Sequence, residues 1–358
     1  MAAGGTQMGV RRGRPGLRRA AAILLAGLVA GCGLSKAEQA RLDVHKANAS
    51  DFFQRSDYQR ALQQANKALV LEPTEPTMEL IRAHALLRIG SATKNPVMLD
   101  ESLTAFEEMR GEWPDDDRSE LGLGSAHLAR ALVLEDEIAH AEKRMESEFL
   151  SDAGRQAEQD RITAAQESRT THLRDAETSL REVLSHELQK DNPIAITDLV
   201  LVLHAQGGRD AEALPLADQA LRLLDENSSL TQTQLDKNTR LSPAARLELD
   251  QRLKANKEKE LSLRDLLATA ALQRGDTDGF LAQMQLLDER GLLDEVQYWN
   301  RAGVYEKLGR FDLALADLES YLRLRSRRFA SYELDDRAPE VFRRIEALRE
   351  RQAATTPR

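Results

Sequence analysis

Small and apolar residues recur along most of this chain at spacings of three and four, the stripe of an amphipathic helix, with charged residues between them. The stripes come in pairs. Around Ser56–Pro73 the second stripe of a pair is Tyr58, Ala61, Ala65 and Ala68, closing on Pro73, and the first is marked by the small residue Ala49. Measured from Ala49, the offsets are +9, +12, +16, +19 and +24. The first four of these offsets taken from Ala302 reach Phe311, Ala314, Leu318 and Tyr321. From Ala268 they reach Thr277, Phe280, Met284 and Leu287, and from Leu201 they reach Asp210, Ala213, Ala217 and Ala220. Two further sets appear when insertions are allowed. Ala83 stands 34 residues after Ala49, with Ser102, Phe106, Met109 and Pro114 displaced by seven. Gly124 pairs with Leu173, Ala176, Leu180 and Val183, displaced by 40. Gly90, Gly208, Gly275 and Gly309 fall where the first helix of a pair should end, the usual place for a glycine.

A 34-residue period of paired helices with small residues at the helix crossings resembles the tetratricopeptide repeat. The resemblance implies an all-α fold, a right-handed helical solenoid of six units at 42–75, 76–114, 117–190, 194–227, 261–294 and 295–328. Val341, Ile345 and Leu348 give the segment from Pro339 to Arg351 a helical stripe, so residues 335–352 are expected to form a capping helix, as an open repeat array requires. Residues 353–358 are expected to be a disordered tail. The insertion at about 130–170 keeps Leu134, Ile138, Met145 and Phe149 on one stripe and is expected to project as a helical hairpin, with a rod running from Arg118 to Phe149. Residues 228–260 are expected to be a linker followed by a helix extension: the polar stretch from Asn227 to Arg240, then Ser242-Pro243 as a helix start.

The first 31 residues have a different pattern. Five arginines and no acid precede the apolar run Ala20–Ala30, and Gly31-Cys32 follows. That order is expected of a secretory signal peptide, and the run is too short to span a bilayer. Cys32 is the chain's sole cysteine. Leu28-Val29-Ala30-Gly31-Cys32 resembles the lipobox of bacterial lipoproteins, which implies cleavage before Cys32, a covalent lipid anchor on its thiol, and a tether over 32–41. Gly33, rather than Asp, after the cysteine favours the outer membrane, facing the periplasm, over the inner membrane.

Composition narrows the function. The 358 residues carry 50 Lys and Arg against 59 Asp and Glu, a net charge of −9, and losing residues 1–31 would take this to −14. An acidic chain lacks the positive excess that a phosphate-tracking surface needs, so nucleic acid is not expected as a partner. Hydrophobic residues at 41% exclude a wholly disordered chain. The seven histidines form no HExxH pair, and Glu137 with His140 supplies one Glu-x-x-His where a di-iron bundle needs two. Serine lies in no nucleophile-elbow sequence, and Gly122-Leu123-Gly124 is too short for a dinucleotide loop. Neither an enzyme, nor a cofactor, nor a metal site, nor a small-molecule substrate is expected.

What remains is surface. In tetratricopeptide arrays the first helices line a concave groove that binds protein segments, and the resemblance places Lys46, Phe53, His84, Arg88, Trp299 and Lys307 there, together with Asp198 and Val202. Aromatic residues and arginine dominate binding hot spots, which singles out Phe53, Arg88 and Trp299, although the capping helix competes for Trp299. The expected function is a membrane-anchored scaffold that binds envelope proteins and assists assembly of an outer-membrane complex. More specific resemblances are to pilotins of type IV pilus secretins and to the lipoprotein partner of the β-barrel assembly machine. An adaptor recruiting peptidoglycan enzymes is a further class.

Overall fold

The structure is a computed structural model that describes residues 34–114, 116–146, 150–238, 241–326 and 338–355. Among these residues there are thirteen α-helices and no strand. In chain order they are α1 (Lys36–Gln54), α2 (Tyr58–Leu71), α3 (Pro76–Thr93), α4 (Pro96–Glu112), α5 (Asp117–Met145), α6 (Asp152–Ser185) and α7 (Pro193–Gln206). They continue as α8 (Asp210–Lys237), α9 (Pro243–Gln273), α10 (Thr277–Glu289), α11 (Glu295–Lys307), α12 (Phe311–Ser326) and α13 (Ala338–Thr355).

Local chemistry fixes the helix starts. Proline occupies the first turn of α3, α4, α7 and α9, where its missing N–H is not needed. The side chains of Asp57, Glu75, Asn95, Asn192, Ser242 and Asp276 each accept a bond from an otherwise unsatisfied backbone N–H just inside a helix. Gly208, Gly275 and Gly309 take left-handed φ values of 68°, 76° and 70° after α7, α9 and α11, as expected. Gly90 does not. It lies inside α3, which runs on to a left-handed Lys94, and a Cβ at Gly90 would sit 3.0 Å from Leu99, so close packing against α4 is what uses this glycine.

Each successive pair forms an antiparallel hairpin, and the first helices α1, α3, α5, α7 and α9 also touch one another in turn, forming an inner row behind which the second helices stack. The spacing landmarks are the buried seams of this array. Ala49, Ala61, Ala65, Ala68, Ala83, Ala302, Ala314 and Leu318 have no exposed surface. The displaced registers hold as well. Ser102 is buried and its hydroxyl donates to the carbonyl of Ala83 at 2.9 Å, and a Cβ on Gly124 would stand 2.7 Å from Leu180 Cγ. The fold is a tetratricopeptide-type helical solenoid.

The structure moves several boundaries. Residues 36–41, expected as tether, belong to α1, and residues 353–355, expected as tail, belong to α13. The polar stretch from Asn227 is helical as far as Lys237, so α8 and α9 form a second long hairpin rather than a linker and a helix. The first insertion is the α5–α6 hairpin, with α5 ending at Met145 after 29 residues, about 43 Å at 1.5 Å per residue. Phe149 and Cys32 lie outside the described residues.

Candidate interaction groove

The inner row places the predicted groove residues in two clusters. At the N-terminal end, rings form a chain: Phe53 packs edge-on to Tyr58 with centroids 5.5 Å apart, lies 6.3 Å from His84, and His84 meets the buried Phe106 at 5.0 Å. Arg88, one turn beyond His84 on α3, is exposed. Lys46 is committed to its own chain, with Nζ 2.9 Å from Glu75 and 3.6 Å from Glu72. At the C-terminal end, Trp299 and Lys307 line a cavity of about 320 Å³ with Asp265, Thr269, Gly303 and Arg344. The capping helix does reach Trp299. Arg344 lies over its indole at 4.2 Å and is held by Glu306 at 2.5 Å, while Val341 beside it is fully buried. One face of Trp299 is thus covered, and it still lines the cavity.

Two features were not legible in the sequence. The first is a buried tether in the middle of the array. Asp198, expected on the groove surface, is only 2% exposed, accepts a hydrogen bond from the Ser125 hydroxyl at 2.6 Å and is ion-paired with Lys259 of α9. Val202, one turn on, has no exposed surface, so neither residue is available to a partner. The second is the path of α9. Its N-terminal half crosses to the far end of the inner row, touching α1. Glu248, Gln251, Arg252, Lys254, Ala255 and Glu258 there face Phe53, Tyr58, His84, Arg88 and Ser91 across a cavity of about 760 Å³. Phe53, His84 and Arg88 therefore lie opposite a helix of their own chain.

Two histidines are strongly perturbed. Burial pushes His84 down to about 4, with Arg88 and Arg118 acting in the same direction. Burial also pushes His127 down to about 4, aided by His172, whose Nδ1 is 2.9 Å away. His172 is itself lowered, by burial first and then by Arg130. A bond between two imidazole nitrogens needs one donor and one acceptor, so the two rings cannot both be protonated while it holds. Both pKa values sit below the ordinary 6.5, so the unfolded chain binds more protons than the folded one between pH 6.5 and 4. Stability should be full above pH 6.5 and fall through that window, by about 1–2 kcal/mol per ring at pH 5. Urea unfolding at pH 7.5 and 5 measures the loss. His84→Leu and His127→Gln should each flatten the pH dependence by one ring's share, and an unchanged dependence in both would refute the assignment.

Among the described residues no group of three or more His, Cys, Asp or Glu side chains could hold a metal ion, and no helix is long and apolar enough to cross a membrane.

No family model matches the chain, and no curated protein matches it. Solved structures do. A tetratricopeptide repeat protein from Parabacteroides merdae is 11% identical, with the match covering 86% of this chain and 98% of that one at a TM-score of 0.30. The Cut9–Hcn1 hetero-tetramer of the APC/C gives 15% identity over 93% of this chain and 53% of the other, at a TM-score of 0.32. Yeast Tom70 gives 15% identity over 88% and 66%, at 0.23. The tetratricopeptide-type fold of this chain stands on its own hairpins and on its buried 34-residue landmarks. What the fold itself supplies is a row of first helices, α1, α3, α5, α7 and α9, along its inner side.

Proposed function

We propose that this chain is a lipid-anchored bacterial scaffold whose inner groove docks envelope proteins and assists assembly of an outer-membrane complex. The anchor reading is supported by the Leu28–Cys32 pattern, with the chain's one thiol at its end. The docking reading is carried by the C-terminal cavity. There an indole, Trp299, is framed by Lys307 and Arg344, the pairing of aromatic and cationic groups that concentrates binding energy at protein interfaces. Exposed Lys307 gives this cavity a cationic edge, which suits an acidic or carboxylate-bearing segment of the partner.

Two results test the proposal. Cys32→Ala should move the protein out of the outer-membrane fraction with its circular dichroism unchanged; continued fractionation with the outer membrane would sink the anchor. In crosslinked co-purification from detergent-solubilised membranes, Lys307→Glu should reduce recovery of the partner about tenfold, the scale of a hot-spot charge, without altering the unfolding midpoint. Equal recovery would remove this cavity from the binding site. A secretin or pilus component, a barrel-assembly subunit, or a peptidoglycan enzyme in the recovered material would assign the pathway.

A further inference from the structure

The chain covers one end of its own groove. The first half of α9 is firmly built on one side only. Toward α8 it is packed and bonded: Leu249 and Asn256 are each 9% exposed, Thr231 of α8 is 3% exposed, and Asn256 donates to the Ser228 hydroxyl at 3.1 Å. Its root is fixed by Lys259 on Asp198 and by Glu260, which accepts from Arg264 at 2.6 Å and is ion-paired with Arg290.

Toward α1 and α3 the picture is the opposite. Four of the six α9 residues bordering the cavity are charged, and their ion pairs stay within the helix, Arg252 with Glu248 at 3.2 Å and Lys254 with Glu258 at 4.0 Å. Among the described residues no hydrogen bond or ion pair joins these six α9 residues to Phe53, Tyr58, His84, Arg88 or Ser91 across the cavity. The space between them, about 760 Å³, is of the size of a ligand site rather than of a packed interface, where voids larger than a water are few. An aromatic floor and the Arg88 guanidinium are thus roofed by a polar helix that does not grip them.

From this asymmetry we infer that the N-terminal half of α9 is an intramolecular lid over the groove of the first two units, and that a protein-sized partner reaches Phe53, His84 and Arg88 only when the lid swings away with its α8 neighbour. The inference rests on the reading of the inner row as a docking groove. Its test, however, uses no partner, so it can fail while that reading stands. A lid must open below the free energy of global unfolding, as locally cooperative segments do.

The experiment uses the full chain with Cys32→Ser and one new thiol, Arg88→Cys, under the lid; a second chain carries Leu188→Cys, at a site 95% exposed, as the open control. N-ethylmaleimide is the small probe, and a maleimide joined to a long polyethylene glycol chain stands in for a partner. Relative to the control, the large probe should react at residue 88 about tenfold more slowly than the small one, yet go to completion. Equal relative rates would mean that nothing covers the groove. Reaction with the small probe and never with the large one would mean a fixed wall. Hydrogen exchange in the unsubstituted chain supplies the second reading. Residues 243–256 should exchange at least about tenfold faster than 259–273 of the same helix, and equal protection along α9 would overturn the lid.

Discussion

Arg301→Met is expected to destabilise the C-terminal units by about 3–5 kcal/mol, because it strands a buried carboxylate rather than merely removing a contact. Arg301 is 8% exposed on its side chain and Asp317 5%. The guanidinium meets Asp317 twice, at 2.8 and 2.7 Å, and reaches Asp288 at 2.8 Å, while its face lies 5.5 Å from the Tyr298 ring. Burial works against the Arg301 charge, but the hydrogen bonds and fields of Asp317 and Asp288 outweigh it and raise its pKa above the ordinary value. With Met in its place, Asp317 must either stay charged without a partner or take up a proton. The double substitution Arg301→Met with Asp317→Leu should recover most of the loss, since a buried pair often does no better than apolar residues of similar volume. Chemical denaturation of the two variants decides it: equal instability would show that the pair matters for shape and not for charge.

The second large effect sits where α4 crosses α5. A Cβ on Gly122 would stand 2.2 Å from Phe106 Cε1, and Phe106 has no exposed surface into which it could retreat. Gly122→Ala should therefore cost about 2–3 kcal/mol by overpacking, even after the roughly 1 kcal/mol that alanine gains over glycine inside a helix. Gly111→Ala, where a Cβ meets nothing within 4 Å, should instead gain up to about 1 kcal/mol. Adding Phe106→Leu to Gly122→Ala should restore part of the lost stability. If Gly122→Ala and Gly111→Ala shift the thermal midpoint in the same direction, ring contact is not what limits residue 122.

The repeat seams were legible because they depend on local geometry. A small residue at a helix crossing and a bulky one three to five turns later leave a periodic trace, which survives even the 40-residue displacement between Gly124 and Leu173. Ser242-Pro243 announced a helix start for the same reason, through capping chemistry contained in neighbouring residues. Gly90 misled because glycine serves two ends, the left-handed turn and the close approach, and sequence spacing does not separate them. The polar stretch after Asn227 misled because a two-helix arm in solvent buries little and so needs little apolar patterning. The groove was legible only as a set of inward-facing positions. That three of them, Phe53, His84 and Arg88, face α9 was hidden, since the roofing residues Glu248, Arg252 and Lys254 read as an ordinary solvated face. Asp198 was hidden as well: its burial depends on a lysine 61 residues away.

The path of α9 also changes how the array should come apart. A solenoid in which each unit touches only its neighbours behaves as a one-dimensional chain, able to melt inward from either end with a free energy summed unit by unit. Here a helix of the fifth unit rests beside the first, closing a contact across more than half of the chain. The loop entropy of that closure is recovered only after every intervening unit is in place. With the lid closed, the units between α1 and α9 should thus resist fraying together. Once it has swung away they are free to melt one by one, as α11 to α13, outside the closed circuit, are from the start.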